Sequence, residues 1–208
     1  MSSTYRTLAG PATAEVEVRR SRFRCTLERV ESEEDARAVV ERCRSAHPGA
    51  GHHCSAFVIG PRGELERSSD DGEPSGTAGA PMLDVLRGQD VSDVAAVVTR
   101  WFGGVLLGTG GLTRAYAQAV REALAAAQFR SRELRQVVEA TADHAVAGRL
   151  EHELRLTGAV VRDVRYAERV TFRLAVAPEE LEAVSATVAV ATGGGSAVHQ
   201  VGEVWVDA

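Results

Sequence analysis

Arg67-Ser68-Ser69-Asp70-Asp71-Gly72-Glu73-Pro74-Ser75-Gly76-Thr77-Ala78-Gly79-Ala80-Pro81 is the first of two glycine-rich segments at the middle of the chain. The second is Thr99-Arg100-Trp101-Phe102-Gly103-Gly104-Val105-Leu106-Leu107-Gly108-Thr109-Gly110-Gly111-Leu112-Thr113-Arg114-Ala115-Tyr116. Between them, Val94 to Val98 is an apolar run that reads as a buried strand. Eight of the 20 glycines lie in the two segments. Such density marks backbone in tight turns, or backbone that something else approaches closely.

The first segment carries Asp70, Asp71 and Glu73. Three readings are open for these carboxylates: they bind a divalent cation, face arginines across a cleft, or are solvated. Ser75 and Gly76 belong to the same loop, and Thr77 is expected to cap a short helix reaching Leu86. In the second segment the strand delivers Arg100 and Trp101 to a loop containing Gly103, Gly104 and Gly108. Gly110 and Gly111 are expected to precede a helix from about Leu112 to Gln128. Free N–H groups at the positive end of a helix dipole suit an anion. Arg114 is placed in the first turn, with the Tyr116 phenol nearby. The glycine spacing is not that of a dinucleotide fingerprint. Together these residues form a candidate site for phosphate or nucleic acid. The rival reading makes the glycines structural, letting helix and sheet pack closely.

On the N-terminal side, Thr13–Val18 and Ser21–Val30 read as strands. Phe23, Cys25 and Leu27 share one face of the second, while Arg22 and Arg24 share the other, close to Arg19 and Arg20. This is the densest basic patch in the chain. Ser32 caps an expected helix whose Ala36, Val39, Val40 and Cys43 form one apolar stripe. His52-His53-Cys54 opens a strand reaching Ile59. Adjacent residues on a strand point to opposite faces, so the two histidines do not easily serve one metal. No metal site is expected. Pro61-Arg62-Gly63 turns the chain into a short hairpin return, Leu65 to Arg67.

On the C-terminal side, Phe129 to Leu134 reads as a polar link and a domain boundary. A strand (135–142), a helix (145–156), a hairpin (160–166 and 170–176), a helix (178–191) and a last strand (197–206) follow. The order βαββαβ is that of a ferredoxin-like half-sandwich. The expected fold is therefore α+β in two domains, 1–133 and 134–208. His144, His152 and His199 stand apart, and no acid, base and nucleophile cluster. No catalytic residue and no cofactor are expected.

The totals set outer limits. Of 208 residues, 44% are hydrophobic and 25% charged, a globular composition. No run approaches the ~18 apolar residues of a membrane span. Met1 to Pro11 lacks the pattern of a signal peptide. Three cysteines without zinc spacing make no disulfide framework, so a cytoplasmic protein without membrane contact is expected. All 24 cationic residues are arginine. That excludes a Schiff-base lysine and a phosphate-loop lysine. The net charge is −5, but unevenly spread: 17 Arg against 18 acids up to Glu133, then 7 against 11. An anionic partner is expected to meet the first part.

Ser21-Arg22-Phe23, His52-His53-Cys54 and the two long glycine-rich segments together resemble the Impact family in its bacterial YigZ-like branch. The resemblance covers about Ser21 to Gln128. It implies a first domain like the second domain of ribosomal protein S5, and a second domain like the last domain of elongation factor G. It also implies a link to translation, because eukaryotic Impact proteins regulate it. The function expected is a non-enzymatic module that binds ribosome or RNA, with a protein partner in translation control as a further expectation. Its ligand groove would be lined by Arg100, Arg114 and the glycine loops. Trp101, Phe102 or Tyr116 would stack on a base, and Arg22 and Arg24 would extend the track. The alternative is an enzyme acting on a phosphorylated small molecule in the same cleft. The oligomeric state is not readable from the residues.

Overall fold

The computed structural model describes residues 4–208. These fall into two compact units, 4–131 and Arg132–Ala208. The first unit contains β1 (Thr4–Leu8), β2 (Ala12–Val18), β3 (Ser21–Arg29), α1 (Glu33–Ala46), β4 (His52–Ile59), β5 (Leu65–Ser69), α2 (Gly79–Gly88), β6 (Val94–Trp101) and α3 (Thr109–Ala126). Five strands form one sheet in the order β2-β3-β6-β4-β5, every pair antiparallel. β6 is central, which is why Val94 to Val98 is buried on both faces.

Strand alternation sorts the core into two layers. Phe23, Cys25, Leu27, Cys54, Ala56, Val94, Ala96 and Val98 face α2 and α3. Phe57, Ile59, Ala95 and Val97 face the Ala36, Val39 and Cys43 stripe of α1. The α1 cap is as expected: the Asp35 N–H donates to Ser32 Oγ at 3.1 Å. The β2–β3 turn is made by Arg19 and Arg20, both left-handed (φ 48° and 68°). Two such residues let a two-residue hairpin follow the strand twist.

The second unit continues with the rest of β7 (Phe129–Ala142), then α4 (His144–Leu156), β8 (Val160–Tyr166), β9 (Val170–Val176), a 3₁₀ turn (Pro178–Glu180), α5 (Leu181–Thr192) and β10 (His199–Asp207). The βαββαβ order is therefore present. Its strands run β10-β7-β9-β8, all antiparallel. Leu150, Leu154, Val184 and Val188 from the helices meet Val138, Phe172 and Leu174 of the sheet. α5 ends where Gly193 and Gly194 turn left-handed and the Gly194 N–H reaches Ala189 O at 2.8 Å. Among the described residues no helix is long and apolar enough to cross a membrane.

Three local expectations change. Phe129–Leu134 is not a link but the opening of β7. From Arg132 on, pairing with β10, with Leu134 opposite Trp205 and Arg132 opposite Asp207, overrides its polar composition. Thr77 does not cap α2: its hydroxyl donates to Pro74 O at 2.6 Å, and Ala78 holds the cap position. α3 begins at Thr109 rather than Leu112, so Gly110 and Gly111 lie inside its first turn, and Arg114 falls in the second.

Gly103 carries the tightest contact in the first unit. A Cβ there would stand 2.0 Å from the Arg20 carbonyl carbon, which is backbone and cannot swing away. Gly103→Ala is therefore expected to lower stability by about 1–3 kcal/mol in urea unfolding. Gly148, exposed in α4 with nothing within 4 Å, is the counterpart. Gly148→Ala should raise stability by roughly 0.5–1 kcal/mol. A neutral Gly103→Ala would remove the close approach from the account.

Candidate binding site

Consecutive residues of a strand face opposite ways, and this divides the expected groove. Arg100 of β6 points to the α2/α3 face and Trp101 to the α1 face. The Trp101 indole packs beside His47, ring centroids 5.3 Å apart, with the Arg22 guanidinium 4.6 Å above it. Arg22 also approaches Glu15 at 3.6 Å. Arg24 follows on the same face of β3, half-buried. Trp101, Arg22 and Arg24 thus belong to one face, and Arg100 with Tyr116 to the other.

On the α2/α3 face a buried polar network joins the two glycine-rich segments. The Glu73 side chain is only 3% exposed. Its Oε1 accepts from Arg100 Nη1 at 2.6 Å and from the Tyr116 hydroxyl at 2.6 Å. His52 Nε2 stands 3.9 Å from the same oxygen. The Cys54 thiol lies 3.3 Å from the Tyr116 oxygen and 3.0 Å from Asp70 O, close enough to donate to either. Burial pushes the Cys54 thiol up to about 12, and burial also drives the Tyr116 phenol far above its ordinary range. Neither group is an accessible nucleophile near neutral pH.

Two expectations are corrected by this network. Tyr116 is fully buried, with its ring edge-on to Phe23 at 5.1 Å, and has no face for a base. Arg100 is 7% exposed and engaged by Glu73, so it lies beneath the surface rather than lining a groove.

The acidic loop is settled residue by residue. Asp70 Oδ1 accepts from the N–H groups of Ala78 (3.0 Å) and Gly79 (2.8 Å), and its Oδ2 from Gly76 N–H at 2.8 Å. It takes the capping role expected of Thr77, from eight residues away. Asp71 accepts from Arg44 Nη2 at 3.1 Å and from the His53 N–H at 2.6 Å. Asp71 and Glu73 therefore face arginines, while Asp70 is spent on backbone. Among the described residues no three His, Cys, Asp or Glu side chains gather as a metal would require. Ser75 and Gly76 are exposed at the loop tip, and Thr77 is buried.

The exposed part of the candidate site is the second loop. Phe102 is 57% exposed and lies over Arg100, ring centroid to guanidinium carbon 5.7 Å. Gly104 and Gly108 are left-handed, φ 85° and 72°. Gly108 is the N-cap of α3, and no side chain caps the helix, so the first-turn N–H groups of Thr109, Gly110 and Gly111 lack a side-chain acceptor. Arg114 is exposed and folds back over that turn: its Nη1 is 3.6 Å from where a Gly110 Cβ would be. The Arg19–Arg20 turn adjoins the loop through Gly103 and through Arg19 Nη1, 3.5 Å from Leu106 O. Sequence reasoning placed Arg19 and Arg20 only in the β3 patch. It missed Arg44 altogether, since a helix-surface arginine 27 positions from Asp71 leaves no local signal.

Burial works against the Asp70 charge, but its three backbone donors outweigh it and hold the carboxyl below its ordinary range. A depressed carboxyl contributes stability above its unfolded value, near 3.8, and loses it as pH falls through the lower folded value. Asp70→Asn should therefore flatten the acid limb of the stability–pH curve below about pH 4. An unchanged acid limb would contradict the capping role. Tyr116→Phe, which removes one donor to Glu73, is expected to cost about 1–3 kcal/mol in urea unfolding.

Comparison with known proteins agrees with this arrangement of motifs. The Impact N-terminal domain matches residues 19–124, and a domain of unknown function, DUF1949, matches residues 141–194. The chain is 38% identical over 200 residues to the IMPACT family member YvyE of Bacillus subtilis, covering 96% of this chain and 92% of that protein. It is 48% identical over 118 residues to the IMPACT family member YigZ of Escherichia coli, covering 56% and 58%. It is 36% identical over 118 residues to the Protein IMPACT homolog of Saccharomyces cerevisiae, covering 54% and 45%. A crystal structure titled as that of a hypothetical protein superposes with a TM-score of 0.78 at 33% identity, covering 97% of this chain and 98% of that one. With both domain matches in sequence order, the chain belongs to the Impact family and is YigZ-like.

Proposed function

We propose that this Impact-family protein is a non-enzymatic module that binds RNA phosphates, on the ribosome first of all, through the loop leading into α3. The observation that carries this reading is the convergence at that loop of an uncapped helix start, the exposed Arg114 and the half-exposed Phe102. Helix N-terminal N–H groups and a guanidinium both seek phosphate, and an exposed aromatic offers a stacking face. The role of eukaryotic Impact proteins in translation makes the ribosome the partner to test first. The two sheets support the finer likenesses as well: a ribosomal-protein-S5-like first unit, and a ferredoxin-like second unit of the elongation factor G type.

The groove is redrawn relative to the sequence expectation. Arg114, Phe102, Gly104, Gly108, Gly110 and Gly111 stay on the surface that meets the ligand. Arg100, Glu73 and Tyr116 support it from beneath. Arg22 and Trp101 form a neighbouring surface on the α1 side. Chemistry on a phosphorylated small molecule would need a carboxylate free to act as base. Asp70, Asp71 and Glu73 each already accept two or more hydrogen bonds, which favours binding over catalysis.

Ribosome cosedimentation from lysate across a salt series tests this. Wild type is expected to pellet at low salt and to be released as salt rises, because each neutralised phosphate releases counterions. Arg114→Ala should lower the salt slope by about 1. Pelleting that ignores salt, or Arg114→Ala pelleting like wild type, would overturn the proposal.

A further inference from the structure

Val105 and Leu106 occupy the tip of the same loop, and neither is used by the reading above. Leu106 is 82% exposed and Val105 38% exposed, an apolar pair that the first unit does not bury. The tip is nonetheless held in place. The Gly103 N–H donates to Ser21 Oγ at 3.1 Å, and its backbone packs on Arg20. Leu107 is partly buried against the core, where it meets Gly111. Arg19 Nη1 approaches Leu106 O at 3.5 Å. The two exposed aliphatic side chains thus sit on an anchored loop, with the exposed Arg19 and Arg20 packed against its first half and the exposed Arg114 folded over the α3 start that follows it.

We propose that Val105 and Leu106 form an apolar wedge that enters RNA at a step weakened by an unpaired base. It rests on the RNA-binding reading above and narrows its ligand to bulged or otherwise interrupted helices. Apolar side chains inserted at a base step cost unstacking, least where pairing is already broken. The arginines next to the tip, Arg19 and Arg20 before it and Arg114 after it, supply phosphate contacts beside that step. The flanking charge decides the occupant. A protein cleft for an aliphatic plug has no need of arginines and a helix start beside it, whereas a phosphodiester backbone does.

The test uses the full chain and two RNA hairpins of one sequence. One has a single-nucleotide bulge with 2-aminopurine beside it, and the other is fully paired with 2-aminopurine at the same place. Wild type should bind the bulged hairpin about tenfold more tightly and raise its 2-aminopurine fluorescence as the base unstacks. Leu106→Ser, at an exposed position that leaves the fold intact, should lose that preference and that fluorescence rise while still binding the paired hairpin. Equal affinity of wild type for both hairpins, without a fluorescence change, overturns the wedge but leaves RNA binding standing. Failure to bind either hairpin overturns the wedge together with the reading beneath it. If Leu106→Ser loses ribosome pelleting while wild type does not discriminate the hairpins, the tip docks on protein and the wedge is likewise overturned.

Discussion

A charged pair sealed under the surface, Glu73 with Arg100, is the constraint on which the first unit depends. Taking two ions out of water is costly, and the cost is offset only when geometry is good and the remaining lone pairs find donors. Here the Tyr116 hydroxyl supplies the second donor to Glu73, and Phe23 and Phe102 flank the guanidinium. Each member comes from a different element. Glu73 stands in the first glycine-rich loop, Arg100 at the end of β6, and Tyr116 two turns into α3. If the first loop or β6 shifts, a buried charge is left uncompensated, and if α3 shifts, Glu73 loses its second donor. That penalty fixes the two loops relative to each other and to the sheet.

The same arrangement divides the motif residues by depth. Beneath are Asp70 on the α2 amides, Asp71 on Arg44 and the β4 backbone, and Glu73 on Arg100. Above are Phe102, the α3 start and Arg114. Gly103 belongs to the first group, because its missing side chain lets the second loop rest on the Arg20 backbone. Much of what looks like a ligand loop in sequence therefore serves to hold the exposed second loop, the surface proposed to meet the ligand, in one shape. A surface already ordered before binding loses less conformational entropy when it binds.

The sequence was informative where one period ruled. Alternation in β3 placed Phe23, Cys25 and Leu27 in the core, and the α1 stripe and Ser32 cap were readable from spacing. The βαββαβ order of the second unit followed from apolar runs separated by turn signals. Alternation also held the clue that Arg100 and Trp101 must part company, but treating the whole segment as loop concealed it. The boundaries failed where a distant partner decided them. β7 runs through Arg132–Leu134 because β10 pairs with it there, and α2 starts late because Asp70 rather than Thr77 caps it. Nor does local sequence say which arginines are buried: Arg100 and Arg114 both sit in a glycine-rich motif, yet one is inside and the other outside.

A double-mutant cycle on Glu73 and Arg100, read by urea unfolding near neutral pH, tests the central claim most directly. Glu73→Gln and Arg100→Met should each cost about 3–5 kcal/mol, since each leaves a buried charge alone. The double variant should cost less than the sum by roughly 1–3 kcal/mol, because neither charge then remains. Strict additivity would contradict the account, since it would mean that the two side chains do not depend on each other and that the loops are held by something else.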